Sequence, residues 1–514
     1  MSEQYDAIII GAGIGGLTAG NILAKNGMKV LILEKNHVAG GAATLFRRQN
    51  FPLDIAHSIC GLNNKSFMDN MLKYIGIRNK IEAVPLSKVF ICMDKQSGKL
   101  INCYTDLERF YDELSGIFPD ERRNIKDILA KIVNIWHKEI LKSFFDPNFI
   151  VYNLYPFMFP NLAKLKYFSF DRLLGLFTNN DRLKQILSAG WPYLGERKES
   201  LSALYMSSML GAYHADGAFF IRGGIGSLPV ALEERFRGLG GKILYKADVN
   251  TVATTNSGVA TGVITENNEF YLAKKVISNI DSKRTLNLLP DKIRNKFNTK
   301  ISNMKMSLAV LQIHLFASAE VPENLLSTGS IILDSDYDYE LGLKARMSIP
   351  LNKATDRNKV LILSINPLRD FVPDSEDLFV FNLGWAPADY KVWEKFRVAF
   401  GDKDYEISKS EIINIAVKEL NKLIKIREVR FAHVLTPLSF EKWMNATSGC
   451  IYDLATTPNQ TVINRLKNVT RIKNFYLVGA KTFPGPGIPG AMFSGFALAD
   501  LLLKGAVSKG KVFS

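Results

Sequence analysis

The stretch Tyr5-Asp6-Ala7-Ile8-Ile9-Ile10-Gly11-Ala12-Gly13-Ile14-Gly15-Gly16 decides the fold. Tyr5–Ile10 is a short apolar run entering a glycine turn, which reads as a buried strand. Leu17–Asn26 reads as a helix stopped by Gly27, and Lys29–Leu33 as a second strand with Glu34 at its end. Strand, G-x-G-x-x-G, helix, strand and acid form the βαβ unit that binds dinucleotides. Gly11 makes the tight turn, Gly13 lets backbone approach a pyrophosphate, and Gly16 lets helix and strand pack closely. Ile14, Gly15 and the helix start offer free N–H groups to phosphates. Glu34 follows Gly16 by eighteen residues and is placed to accept hydrogen bonds from a ribose, with Lys35 beside it. An acid here argues against NADP, whose extra phosphate needs a cation. The motif alone leaves FAD and NAD both open.

The next residues favour FAD. The pair Gly40-Gly41, followed by Ala42, again permits close backbone approach to a ligand. Near the C-terminus, Phe475–Val478 reads as a strand ending at Gly479-Ala480. The run Lys481 to Gly495 then sets Gly485, Gly487 and Gly490 among prolines, with Ile488 and Pro489 between them. Such a stiff loop with free amides suits the polar edge of a flavin ring. A helix N-terminus expected near Phe493–Ser494 would stabilise the reduced anion. Between these sites lies Arg222-Gly-Gly-Ile-Gly-Ser-Leu-Pro229, then a helix to about Arg237 and a strand at Lys242–Leu244. Strands at Asp248–Thr254, Gly258–Thr265 and Glu269–Ile277 follow, ending in Ser278-Asn-Ile-Asp281. A small sheet is expected, its last strand returning to the main one.

These three segments together resemble the flavin amine-oxidase superfamily, and more narrowly bacterial phytoene desaturases, carotenoid isomerases and retinol saturases. The resemblance implies that FAD binds the glycine loop, Glu34, the Gly40-Gly41 pair and the C-terminal loop. It implies that backbone at Val249 holds the adenine. Three departures leave the reaction open: Phe483 stands where many desaturases have His, Ala56 where a glycine is usual, and Ala42-Ala43 where Arg or Cys/His is common.

The expected fold class is α/β. A Rossmann-like FAD-binding domain, a parallel sheet with helices and a small extra sheet, is interleaved with an α+β substrate domain. Residues 1–75, 216–290 and 465–514 are assigned to the first, and 76–215 and 291–464 to the second. Residues 76–215 read as helical. Strands are expected at Leu308–Phe316, Val360–Ile365 and Leu378–Leu383, and a helix near Ser410–Ile426. Phe144–Phe170 holds ten aromatics in 27 residues: Phe144, Phe145, Phe149, Tyr152, Tyr155, Phe157, Phe159, Tyr167, Phe168 and Phe170. Lys142, Lys164, Lys166 and Arg172 flank them, so the segment suits either a packed core or a patch entering one membrane leaflet.

The 514 residues carry 65 Lys and Arg against 50 Asp and Glu, a net charge of +15. That field favours anionic partners: a membrane surface or an acidic carrier protein. Without a nucleic-acid module or a long basic block, nucleic acid is not an expected partner. Four scattered cysteines, with no C-x-x-C pair, argue against a disulfide scaffold or a cysteine zinc site. No H-E-x-x-H or other metal spacing occurs, so no metal is expected. The start of the chain reads as a strand rather than a signal peptide. Asp146, Pro147, Pro156 and Pro160 break the most apolar later stretch. A cytoplasmic enzyme held peripherally at a membrane is expected.

Catalytic residues are the least legible. His57, after the second glycine pair, and His214, near Asp216, are the candidates. Asp54 reads as a loop-ordering residue. Hydride transfer needs placement more than an acid or base. The expected function is an FAD-dependent oxidoreductase acting on a long apolar isoprenoid or polyene chain, by desaturation, saturation or isomerisation. A long acyl chain on an acidic carrier protein is the alternative substrate. A flavin-binding partner protein without turnover is the alternative class.

Overall fold

A computed structural model of the chain describes residues 3–55, 58–144, 159–335, 339–347, 359–373, 375, 377–461, 464–505 and 507. Its centre is a five-stranded sheet in the order Lys242–Leu244, Val30–Leu33, Ala7–Ile10, Val276–Ser278, Phe475–Leu477, with every pair parallel. Numbered along the chain this is the order 3-2-1-4-5. Ala7–Ile10 and Val30–Leu33 are buried at every position, as expected where both faces are covered. The order reverses between Ala7–Ile10 and Val276–Ser278. Ligands of such sheets bind outside the carboxyl ends of the strands at that point. The first helix, Ile14–Lys25, begins at the glycine loop. The small extra sheet joins Gln4–Tyr5, Phe270–Ala273, Ala260–Thr265 and Val249–Thr254, and Val276–Ser278 does return to the main sheet.

A seven-stranded mixed sheet forms the second layer. Its order is Lys425–Leu435, Ala309–Glu320, Phe379–Ala388, Lys359–Pro367, Thr328–Ser335, Lys88–Met93, Leu100–Tyr104. Alternation along Ala309–Glu320 gives it two faces. Leu311, Ile313 and Leu315 join the core built with Trp393, Phe396, Ile412 and Leu420 of the helix Tyr390–Leu420. The other face carries Gln312, which bonds Ile55 in the first layer. The chain is therefore α/β, with a parallel-sheet nucleotide-binding unit interleaved with an α+β portion.

Three details differ from the sequence reading. Residues 76–215 are not uniformly helical: Ala83–Leu86, Lys88–Met93 and Leu100–Tyr104 are strands. The helix expected near Ser410–Ile426 spans Tyr390–Leu420, interrupted where Gly401 takes φ 76°, and Lys425–Leu435 is a strand. The C-terminal helix is Ile488–Leu502, so it starts before Phe493–Ser494, both of which are buried inside it. Of the aromatic segment, Phe159 and Phe170 are buried core, Phe168 is half-buried and Tyr167 is exposed. Phe145, Phe149, Tyr152, Tyr155 and Phe157 lie outside the described residues, as does the side chain of Phe144.

Candidate functional site

A continuous cavity of about 500 Å³ opens at the carboxyl ends of the parallel strands and runs between the two layers. Gly11, Gly13, Ile14 and Gly15 line it, with Glu34 and Lys35 at the end of the second strand. Gly40, Gly41 and Ala42 face them across the cleft, and a Cβ on Gly41 would lie 3.3 Å from Gly13 Cα. Val249 lines the far end, and Gly479, Ala480, Gly487, Ile488 and Pro489 line the C-terminal side. Gly16 stands behind the wall. A Cβ there would fall 2.5 Å from Gly11 O, so its smallness serves helix packing.

The local chemistry suits a dinucleotide. Glu34 accepts N–H bonds from Ala12 at 2.8 Å and Asn36 at 2.9 Å. Burial pushes its carboxyl up, and those two bonds oppose the rise. Each Glu34 oxygen keeps acceptor capacity for a sugar hydroxyl. Lys35 donates to Lys442 O at 2.9 Å, and Asn36 donates to Trp443 O. The segment around the helix Pro437–Met444 thereby covers this end of the cavity.

Several residues that the sequence reading missed build the floor. Asn279 stands at the switch point, and its side chain abuts Gly13, Gly15, Gly16 and Gly479. Lys481, 1% exposed, donates Nζ to Val478 O and Ile280 O at the ends of the two neighbouring strands. Asp281 and Asp453 lie on the same wall. Burial drives the Lys481 ammonium down from its usual range. Burial also drives the Asp453 carboxyl up, and the charge of Asp281 adds to that rise. Arg465, also 1% exposed, donates to the carbonyls of Leu454, Ala455, Gln460 and Ala480. Its guanidinium fixes Ala480 in the cofactor wall.

His214 is not brought to this cavity. His214 belongs to the helix Ala203–Asp216, but its ring stacks on Phe110 at 5.4 Å and its Nδ1 faces Thr105 O at 3.3 Å. Burial holds the imidazole down at about 4. Asp216 is not its partner; that carboxylate accepts the indole N–H of Trp136 at 2.9 Å. His57 lies outside the described residues. Asp54 accepts the N–H of Ile225, tying the second glycine region to the central motif.

Known proteins place this geometry. The profile of the family "Flavin containing amine oxidoreductase" matches residues 14–503, and the chain belongs to that family. It is therefore a flavoprotein oxidoreductase with FAD as its cofactor. The chain is 26% identical over 511 residues to prolycopene isomerase 1, chloroplastic, of an Oncidium hybrid cultivar, covering 97% of this chain and 84% of that protein. It is 25% identical over 544 residues to the all-trans-retinol 13,14-reductase of Danio rerio, covering 99% and 86%. Its fold is similar to that of the crystal structure of an oxidoreductase from Methanosarcina mazei, with TM-score 0.63, 14% identity and coverage of 97% and 100%.

Proposed function

We propose that this oxidoreductase acts on a carbon–carbon bond of a long apolar isoprenoid or polyene chain drawn from a membrane surface. The lining of the cavity beyond the cofactor cradle carries this reading. Along the helix Ala203–Asp216, Leu204, Tyr205, Ser208, Met209, Ala212 and Tyr213 present one face to it. Trp136, Ile140 and Leu162 close it from the opposite helices. None of these side chains carries a formal charge. A cationic amine would lie here without a counter-ion, whereas an apolar chain gains about 25 cal/mol for each Å² removed from water.

Bound FAD supplies the hydride acceptor or donor. The protein's own task is to exclude water and hold the reacting carbons in place. Burial pushes the hydroxyls of Tyr193 and Tyr213 well up, so both stay neutral hydrogen-bond partners. Oxidised FAD would serve a desaturation, and reduced FAD a saturation or an isomerisation.

The division into an FAD-binding part (1–75, 216–290, 465–514) and a substrate part (76–215, 291–464) is supported by the strands. All five parallel strands fall in the first set and all seven strands of the mixed sheet in the second. Peripheral membrane contact is supported by Tyr167 and Leu176, each more than half exposed, near in sequence to the exposed cations Lys164 and Arg172. No helix among the described residues is long and apolar enough to cross a membrane. Mixing oxidised and dithionite-reduced holoprotein anaerobically with isoprenoid-bearing vesicles tests the reading. Flavin absorbance that responds to the lipid, or a geometric isomer formed by the reduced protein, supports it. An unresponsive flavin together with unchanged lipid contradicts it.

A further inference from the structure

The helix Ala203–Asp216 runs along the cavity from the cofactor loop to an indole. Near its start, Tyr205 packs on the C-terminal loop, where a Cβ on Gly485 would overlap the tyrosine hydroxyl. Near its end, a Cβ on Gly211 would lie 2.5 Å from Trp136 Cβ. The Trp136 indole N–H reaches Asp216 at 2.9 Å. The indole therefore lies beside residues 211–216. At 1.5 Å per residue this is about 9–16 Å from Tyr205 along the helix axis.

Three separate features fix this ring. The backbone makes a π-turn over Trp136–Ile140, a local widening that recurs at functional sites. Both ends of that turn, Trp136 and Ile140, reach the cavity wall. Inside the turn, Glu139 is buried and accepts the N–H groups of Asn161 and Leu162, which anchors it to the helix Pro160–Leu165. Gly211 supplies the room for close approach, and Asp216 holds the indole N–H. A buried carboxylate spent on a single indole is costly unless the ring's position matters.

We propose that Trp136 sets how far an apolar chain can extend past the cofactor loop, and that Asp216 is a positioning residue which holds the indole across that path. This rests on the apolar-substrate reading above. A short isoprenoid ends before the ring, whereas a long one must displace it.

The test uses the FAD-loaded protein and two probes in phosphatidylcholine vesicles, all-trans-retinol as the short isoprenoid and phytoene as the long one. Dissociation constants are read from quenching of flavin fluorescence. The wild-type chain is expected to bind both probes, phytoene with the added cost of displacing the indole. Trp136→Ala should shift the phytoene-to-retinol ratio by about tenfold or more towards phytoene, equivalent to ~1.4 kcal/mol. Trp136→Phe should shift it less. Asp216→Leu should follow Trp136→Ala, while Asp216→Asn, which keeps an acceptor for the indole, should stay near wild type. If Trp136→Ala fails to load FAD, the Phe and Asp216 variants decide. Ratios unchanged in loaded variants overturn the depth role alone. A wild-type protein that binds neither probe removes the apolar-substrate reading and this role with it.

Discussion

Gly15 leaves the space that the side chain of Asn279 occupies: a Cβ on Gly15 would lie 2.9 Å from Asn279 Oδ1. The same Cβ would lie 2.9 Å from Gly479 Cα and 3.1 Å from Ala491 O. One glycine thus lets two strand ends and the C-terminal helix converge on the start of the first helix. Two of those three neighbours are backbone atoms, which cannot swing away.

Gly15→Val is therefore expected to raise the FAD dissociation constant by at least about tenfold, ~1.4 kcal/mol. Flavin absorbance per protein after gel filtration reads it. Gly27→Ala is the control. Gly27 has φ 82° with nothing within 4 Å of its Cβ position, so it should lose a little stability and keep FAD. Full occupancy in the Gly15 variant would mean that this crossing is not the phosphate site.

Arg465→Met strands the carbonyls of Leu454, Gln460 and Ala480, while that of Ala455 keeps the side-chain N–H of Gln460. Each stranded buried group costs about 1–3 kcal/mol. Chemical denaturation of the variant should show several kcal/mol of lost stability, with flavin released earlier than in wild type. Equal denaturation midpoints would show that the carbonyls find other donors.

Stability should fall with acid through two histidines. Burial holds His214 at about 4, and burial with the nearby Lys409 and Arg48 holds His433 at about 4. In the unfolded chain each protonates near pH ~6.5. The unfolded state then binds more protons below that pH, so the contribution is complete above ~6.5 and is lost as pH falls towards 4. Melting temperatures measured across that window should drop, and His214→Gln should flatten the drop. That variant should also keep wild-type rates of flavin reduction, because the ring lies off the cavity. A large loss of rate would return His214 to the catalytic candidates.

Replacing Tyr167 and Leu176 by Ser should weaken flotation with anionic vesicles and leave FAD content unchanged. Both side chains are more than half exposed, so the folded core does not depend on them. Undiminished flotation would place the membrane contact on another surface.

The cofactor half of the molecule was legible because its signals are local. Gly11, Gly13, Glu34 and Gly40 act within a few residues of the chain and meet across one cleft. Asn279, Lys481, Asp453 and Arg465 were not legible, because their importance comes from contacts far along the sequence. The run Ser278-Asn-Ile-Asp281 marks a strand end but does not say that four glycines will face Asn279. The start of the C-terminal helix was placed late because Pro489 was read as loop, although proline fits the first turn of a helix. Lys88–Met93 is an almost wholly buried run, and such runs do not separate strand from helix by periodicity. His214 looked catalytic beside Asp216, but the helix turns the two side chains to different partners, Phe110 and Trp136.

The central claim is that the cavity presents a long apolar isoprenoid to FAD. Its most direct test is mass spectrometry of lipid recovered after the holoprotein turns over isoprenoid-bearing vesicles. The claim predicts a product differing by two hydrogens, with a matching change in flavin redox state, or one of equal mass and altered retention formed by reduced protein. Flavin that stays bound and redox-active towards a small amine, with every isoprenoid recovered unchanged, would contradict it.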